Sequence, residues 1–135
     1  MKAHIKTAGA LMIGVVLGGV SLSTLSAQTK APAAYWVTEV LELQDQAAFM
    51  TAIQAVSPTV QQFGGRYIVL GGKLAADVGA VPNRITIIAF DSMEKAHGWL
   101  SDPQAKSLRD EVNKHAKTRA YTVEGTDQVG GPAAR

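Results

Sequence analysis

RITIIAFDSMEKAHGWLSDP, residues Arg84–Pro103, is the stretch whose reading decides the architecture. Its first seven residues, Arg84 to Phe90, are dense in β-branched side chains and end on an aromatic, a composition that suits a pleated strand. Ser92 then offers a hydroxyl to the free backbone N–H groups of a helix start. Glu94 lies where negative charge meets the positive end of the helix dipole. The spacing predicts a short helix through Leu100. Asp102-Pro103 restarts helical structure, because aspartate caps well and proline is pre-set for the first helical position. Ala105, Leu108, Val112 and Ala116 give that second helix a narrow apolar stripe.

Working outward, Arg119 to Glu124 (RAYTVE) reads as a strand after the helices, and Arg66 to Leu70 (RYIVL) as one before them. Gly64-Gly65 and Gly71-Gly72 bracket the latter. Lys73 to Asn83 mixes Gly, Pro and Asp and reads as a long hairpin connection, with some strand character near Lys73 to Ala75. Further upstream, Asp45 is a good N-cap. Phe49, Ile53, Val56, Val60 and Phe63 then recur at helical spacing, with Pro58 expected to kink the helix and Gly64-Gly65 to end it. Tyr35 to Leu43 (YWVTEVLEL) is the first strand.

The order is β-α-β-β-α-β. It predicts an α+β, ferredoxin-like fold: an antiparallel four-stranded sheet with helices on one face. The strands are apolar on both parities, with Tyr67 and Val69 beside Ile68 and Leu70, and Ile85 and Ile87 beside Ile88 and Phe90. A strand apolar on both sides calls for cover on both sides, and the helices supply only one layer. The expected second cover is another copy of the chain, sheet against sheet, which makes a homodimer.

The N-terminus is built differently. Met1 to Lys6 carries two lysines and no acid, Thr7 to Val20 (TAGALMIGVVLGGV) is almost wholly apolar, and small and polar residues follow in SLSTLSAQ. This is the order of a secretory signal peptide, here assigned to residues 1–27 with cleavage after Ala27; a cut within Ala31–Ala34 is the alternative. The apolar core of about 14 residues falls short of the roughly 20 that a membrane span needs. The expected destination is the periplasm or the medium by the general secretory route, with no membrane attachment after cleavage. Mass spectrometry of the exported protein is expected to find an N-terminus between Gln28 and Tyr35. Residues 28–34 read as a linker, 35–125 as the ferredoxin-like domain and 126–135 as a disordered tail.

Removing the signal also removes Lys2 and Lys6. The 13 basic residues become 11 against 11 acidic ones, so the formal charge of +2 carries no nucleic-acid signal. With no cysteine in the chain, disulfides, thiolate metal sites and a cysteine nucleophile are excluded.

The runs YWVTEVLE, GGRYIVLGG (Gly64–Gly72), Arg84–Pro103 and YTVEG (Tyr121–Gly125) resemble the bacterial domain-of-unknown-function family 1330, over essentially all of Tyr35 to Gly125. The resemblance implies membership of the dimeric α/β-barrel superfamily, in which two ferredoxin-like sheets pack into a barrel. The chain departs from the family pattern at Trp99-Leu100 and Gln104-Ala105, where relatives commonly carry tyrosine.

No catalytic set emerges. His97 and His115 lack a carboxylate or second histidine at ligand spacing, so no metal is expected, and the paired glycines flank a strand and are not a phosphate loop. No cofactor is expected. The ligand-binding candidates are Arg66 and Arg84 as guanidiniums for an anion, Tyr67 and Trp99 as cavity aromatics, and His97. Trp36 and Tyr121 belong with the same aromatic group. Three function classes stay open: a module binding a small apolar or anionic ligand, a cofactor-independent monooxygenase or isomerase, and a structural dimer without chemistry.

Overall fold

The computed structural model describes residues 31–126. Residues 1–27, read from the sequence as a signal peptide, with residues 28–30 of the linker reading and the tail reading from residue 127, lie outside the described residues. Within them run β1 (Ala34–Leu43), α1 (Gln46–Gln62), β2 (Arg66–Leu70), β3 (Arg84–Phe90), α2 (Met93–Ser101), α3 (Pro103–Asn113) and β4 (Ala116–Glu124). The strands form one antiparallel sheet in the order β2-β3-β1-β4. This is the expected α+β, ferredoxin-like plan, with the second helical segment divided in two at Asp102.

The caps act where the residue types predict. The Asp45 carboxylate accepts from the Ala48 N–H at 3.0 Å, the Ser92 hydroxyl from Lys95 at 3.2 Å, and the Asp102 carboxylate from Ala105 at 2.9 Å. Asp102 is at once the C-cap of α2 and the N-cap of α3, which is why the two helices join without a loop. Helix α1 remains one element through Pro58, an exposed position where the missing donor deprives only Gln54 of its usual bond. It ends at Gly64, whose φ of +74° lies in the region that side chains avoid.

Two boundaries differ from the sequence reading. Ala116, placed there on the stripe of α3, belongs to β4. Lys114 ends the helix, and the His115 carbonyl accepts from Gln44 and Asp45 instead of continuing the helical ladder. Ala116 still goes inside, against Val40 and Phe49. The segment 71–83 forms no strand, so Lys73 to Ala75 are connection throughout; Gly, Pro and Asp disfavour a ladder there.

Strand pairing separates the two sheet faces. Ala34, Trp36, Thr38 and Val40 of β1 share a face with Thr86, Ile88 and Phe90 of β3, and this face meets the helices. The core there is Trp99 and Phe90, both fully buried, with Val56, Val60, Ile88 and Ala105 around them. The opposite face carries Tyr35, Val37, Ile85, Ile87, Tyr121 and Val123, and no helix of the described residues lies over it. Tyr121 and Val123 are 47% and 48% exposed.

Candidate functional site

The helix-facing side of the sheet is not filled completely. A cavity of about 410 Å³ lies between sheet and helices, a size suited to a small organic ligand. Its floor can be written from the strand register. Ile88, Trp36 and Thr122 form one row across β3, β1 and β4; Thr86, Thr38 and Ala120 form the next; Arg84, Val40 and Thr118 form the third. Trp36, Thr86, Ile88, Thr118, Ala120 and Thr122 line the cavity directly. Ile53 and Val56 of α1, Leu100 of α2 and Val112 of α3 make the apolar roof, and Tyr67 of β2 borders it.

The polar rim comes from α3: Lys106, Arg109, Asp110 and Asn113. Lys106 and Asp110 are one turn apart and pair at 2.7 Å, so their charges offset. Arg109 is different. Its guanidinium lies 4.3 Å from the centroid of the Trp99 ring. It donates through Nη2 to the Leu100 carbonyl at 2.6 Å and through Nη1 to the Trp99 carbonyl at 3.3 Å. These bonds close the C-terminal end of α2, a role open to any arginine near a helix end. They use two of its five N–H donors. No carboxylate lies within ion-pair distance of Arg109 among the described residues. Burial lowers its pKa, with Asp110 and Asp102 acting from farther off to restore it. The cavity wall therefore carries one fixed, half-buried positive charge with donors to spare.

Beside the cavity, between α2 and the sheet, stands an aromatic assembly. Trp36 meets Trp99 edge-to-face at 5.0 Å between centroids, and Phe90 meets Trp99 at 5.6 Å. Trp99 Nε1 donates to the Thr59 hydroxyl at 3.0 Å, which in turn donates to the Val56 carbonyl at 2.6 Å. The indole is thus locked from α1 and holds the flat face that Arg109 covers.

Of the five residues singled out from the sequence, Tyr67 lines the cavity, and its hydroxyl accepts from Ser57 at 3.3 Å. Trp99 is fully buried in the core beside the cavity and does not line it. Arg66 and Arg84 do not meet. Arg66 sits level with Ala89 and pairs with Asp91 at 3.7 Å, whereas Arg84 lies five residues down β3, about 17 Å away along the strand. The Arg84 guanidinium packs under Gly71, and its Nε is buried without a hydrogen-bond partner among the described residues. His97 is exposed on α2. His115 turns to Glu111, 3.2 Å away and four residues earlier, so the sequence reading that no carboxylate lies at ligand spacing to it is corrected, and it is not in the cavity wall. The described residues contain no group of three or more His, Cys, Asp or Glu placed to hold a metal.

Arg109 was not singled out. One signal for Arg109 was present: it lies four residues after Ala105 and three before Val112, on the border of the apolar stripe.

Residues 33–126 match the family described as Domain of unknown function (DUF1330). The chain belongs to that family. No curated protein matches it significantly. Among solved structures it is similar to a protein of unknown function from Rhodopseudomonas palustris, at 13% identity and a TM-score of 0.57, covering 74% of this chain and 90% of that one. It is similar also to SnoaB, a cofactor-independent oxygenase from Streptomyces nogalater, at 10% identity and a TM-score of 0.55, covering 78% of this chain and all of that one. A hypothetical Arabidopsis thaliana protein matches at 13% identity and a TM-score of 0.54, with 75% and 93% of the two chains covered. At these identities the DUF1330 chain and its structural neighbours share a fold, and the likeness extends no further.

Proposed function

We propose that this DUF1330 domain is an exported module that binds a small, mainly apolar organic acid in the cavity between sheet and helices. The observation that carries the reading is Arg109. A half-buried charge with no carboxylate in ion-pair contact carries a desolvation cost, and here it is held by two carbonyls and an aromatic face at the edge of an apolar cavity. A carboxylate entering the cavity meets a pre-oriented guanidinium with unused donors, while its carbon skeleton replaces water against Trp36, Ile53, Ile88 and Val112.

The working form in this reading is a homodimer formed through the open sheet face. Val37, Ile87 and Tyr121 stand side by side there, in register across three strands, and a second copy covers them without disturbing the cavity on the other side. The titratable side chains along the cavity on the helix-facing side are Tyr67, Lys106, Arg109 and Asp110.

The test is calorimetry with 4-phenylbutanoate and its primary amide, which match in shape and differ in charge. The wild-type protein is expected to bind the acid in preference to the amide by about tenfold or more, the worth of a charged hydrogen bond. Arg109→Met is expected to lose that preference. Equal binding of acid and amide by the wild type, or a preference that survives in Arg109→Met, overturns the reading.

A further inference from the structure

The cavity runs the full width of the sheet. Strand register aligns Tyr67 of β2, Ile88 of β3, Trp36 of β1 and Thr122 of β4 in one row, and all four residues line it. Three strand spacings separate the ends of that row, about 14 Å. Its polar groups are divided between the two layers. The charged ones, Lys106, Arg109 and Asp110, belong to α3, which packs on α1 and on β4 at one edge of the sheet. The strands contribute no charged group to the wall, and the polar side chain at the far edge is Tyr67.

Tyr67 stands where a ligand can reach it. Its side chain is half-buried in the cavity wall, and its hydroxyl lies where β2 meets α1, 3.3 Å from the hydroxyl of Ser57. Ser57 follows Val56, itself in the wall, so the phenol oxygen is level with the cavity. The ring packs against the cluster around Val56 and Ile88, which a phenylalanine would do equally. The hydroxyl is therefore the informative part. Its bond from Ser57 is long for two hydroxyls, which usually sit about 2.7–2.8 Å apart. With that bond in place, the phenol's own proton has no acceptor among the described residues. A phenol is more acidic than an aliphatic hydroxyl and so a good uncharged donor.

We infer that the ligand is an elongated apolar acid whose end remote from the carboxylate carries an uncharged oxygen acceptor, a ketone or ether, and that the Tyr67 hydroxyl donates to it. The inference rests on the acid-binding reading and adds what the far end of the ligand carries. The carboxylate lies at Arg109, the skeleton along Trp36 and Ile88, and the oxygen at the β2 edge. Such a site discriminates against analogues that lack the oxygen, because the site's own donor is then left unpaired.

The experiment uses 4-phenylbutanoates with an acetyl group at the meta or para ring position, beside their isopropyl counterparts, which match acetyl in shape and lack the oxygen. Calorimetry gives the acetyl-to-isopropyl affinity ratio for wild type and Tyr67→Phe. For at least one ring position the ratio is expected to fall about three- to tenfold in Tyr67→Phe, the worth of an uncharged hydrogen bond. The preference for 4-phenylbutanoate over its amide is expected to stay unchanged in that variant. Infrared spectroscopy of the wild-type complex adds a readout that needs no variant. The ketone stretch of the bound acetyl ligand is expected at lower wavenumber than in an aprotic solvent, as for any carbonyl that accepts a hydrogen bond. A ratio unmoved by Tyr67→Phe at both ring positions, or a bound ketone stretch at its aprotic position, refutes the oxygen subsite and leaves acid binding standing. If none of these acids binds the wild type, both readings fall together.

Discussion

Replacing Trp99 by phenylalanine tests whether the floor of the cavity and the core are one construction. The indole is fully buried, and the substitution removes three things at once. The hydrogen bond to the Thr59 hydroxyl, 3.0 Å long, goes, at a cost of about 1 kcal/mol. The lost ring atoms leave a void against Trp36 and Phe90, worth about 1–2 kcal/mol because close-packed neighbours relax only in part. The Arg109 guanidinium exchanges a Trp face for the weaker Phe face, about 0.5 kcal/mol. Together these predict a loss of about 3 kcal/mol, which for a domain of this size lowers Tm by roughly 10–20 °C. The assay is urea denaturation followed by far-ultraviolet circular dichroism at one fixed protein concentration, since self-association would make the midpoint concentration-dependent. Thr59→Val and the double variant complete a cycle. The coupling between the two positions is expected near 1 kcal/mol, because either change removes the same bond. A loss below about 1 kcal/mol in Trp99→Phe, or additive effects in the double variant, would refute the description of Trp99 as the locked centre of the core.

Other positions give sharper, smaller tests. Gly71 has φ +65°, and a Cβ there would fall 2.3 Å from the Arg84 guanidinium carbon, so Gly71→Ala is expected to cost about 1–3 kcal/mol in urea denaturation. Adding Arg84→Ala is expected to recover only the share due to the clash. The Glu39 carboxyl is held below its ordinary pKa of 4.5, first by its hydrogen bond from Arg119, and Glu111 is held below it by Lys114 and His115. A depressed folded-state pKa stabilises the fold above the unfolded value and is lost as pH falls through the folded one, so stability is expected to decline below about pH 4.5. Replacing Glu39 and Glu111 by glutamine is expected to flatten that decline in acid-titrated urea melts. Tyr121 is 47% exposed on the open sheet face, so Tyr121→Glu is expected to leave the fold intact and shift a dimer to monomer in sedimentation velocity.

The architecture was legible because its signals are local. Asp45, Ser92 and Asp102-Pro103 mark helix starts through bonds that span three residues, and those bonds are present. The β-branched run Arg84 to Phe90 declares a strand by itself. Misplacing Ala116 had a local cause as well, since its spacing from Val112 fits a helix. What moves it to β4 is a pair of non-local bonds, from Gln44 and Asp45 to the His115 carbonyl, that no neighbouring residue announces.

The site was legible only in part, for the same reason reversed. Tyr67 was reachable from composition because an aromatic on a strand is conspicuous. Arg109 was not, because it sits among Lys106, Asp110 and Glu111 in what reads as an ordinary solvated helix face. Its significance depends on the abrupt joint at Asp102, which brings α3 back across the end of α2 and presents the Trp99 and Leu100 carbonyls to it. Arg109 matters through something left over, a half-buried charge with no carboxylate in ion-pair contact. A surplus of that kind exists only once the rest of the chain has been folded and its bonds assigned. Arg109 therefore constrains the ligand more tightly than the apolar walls do, since those walls accept many carbon skeletons.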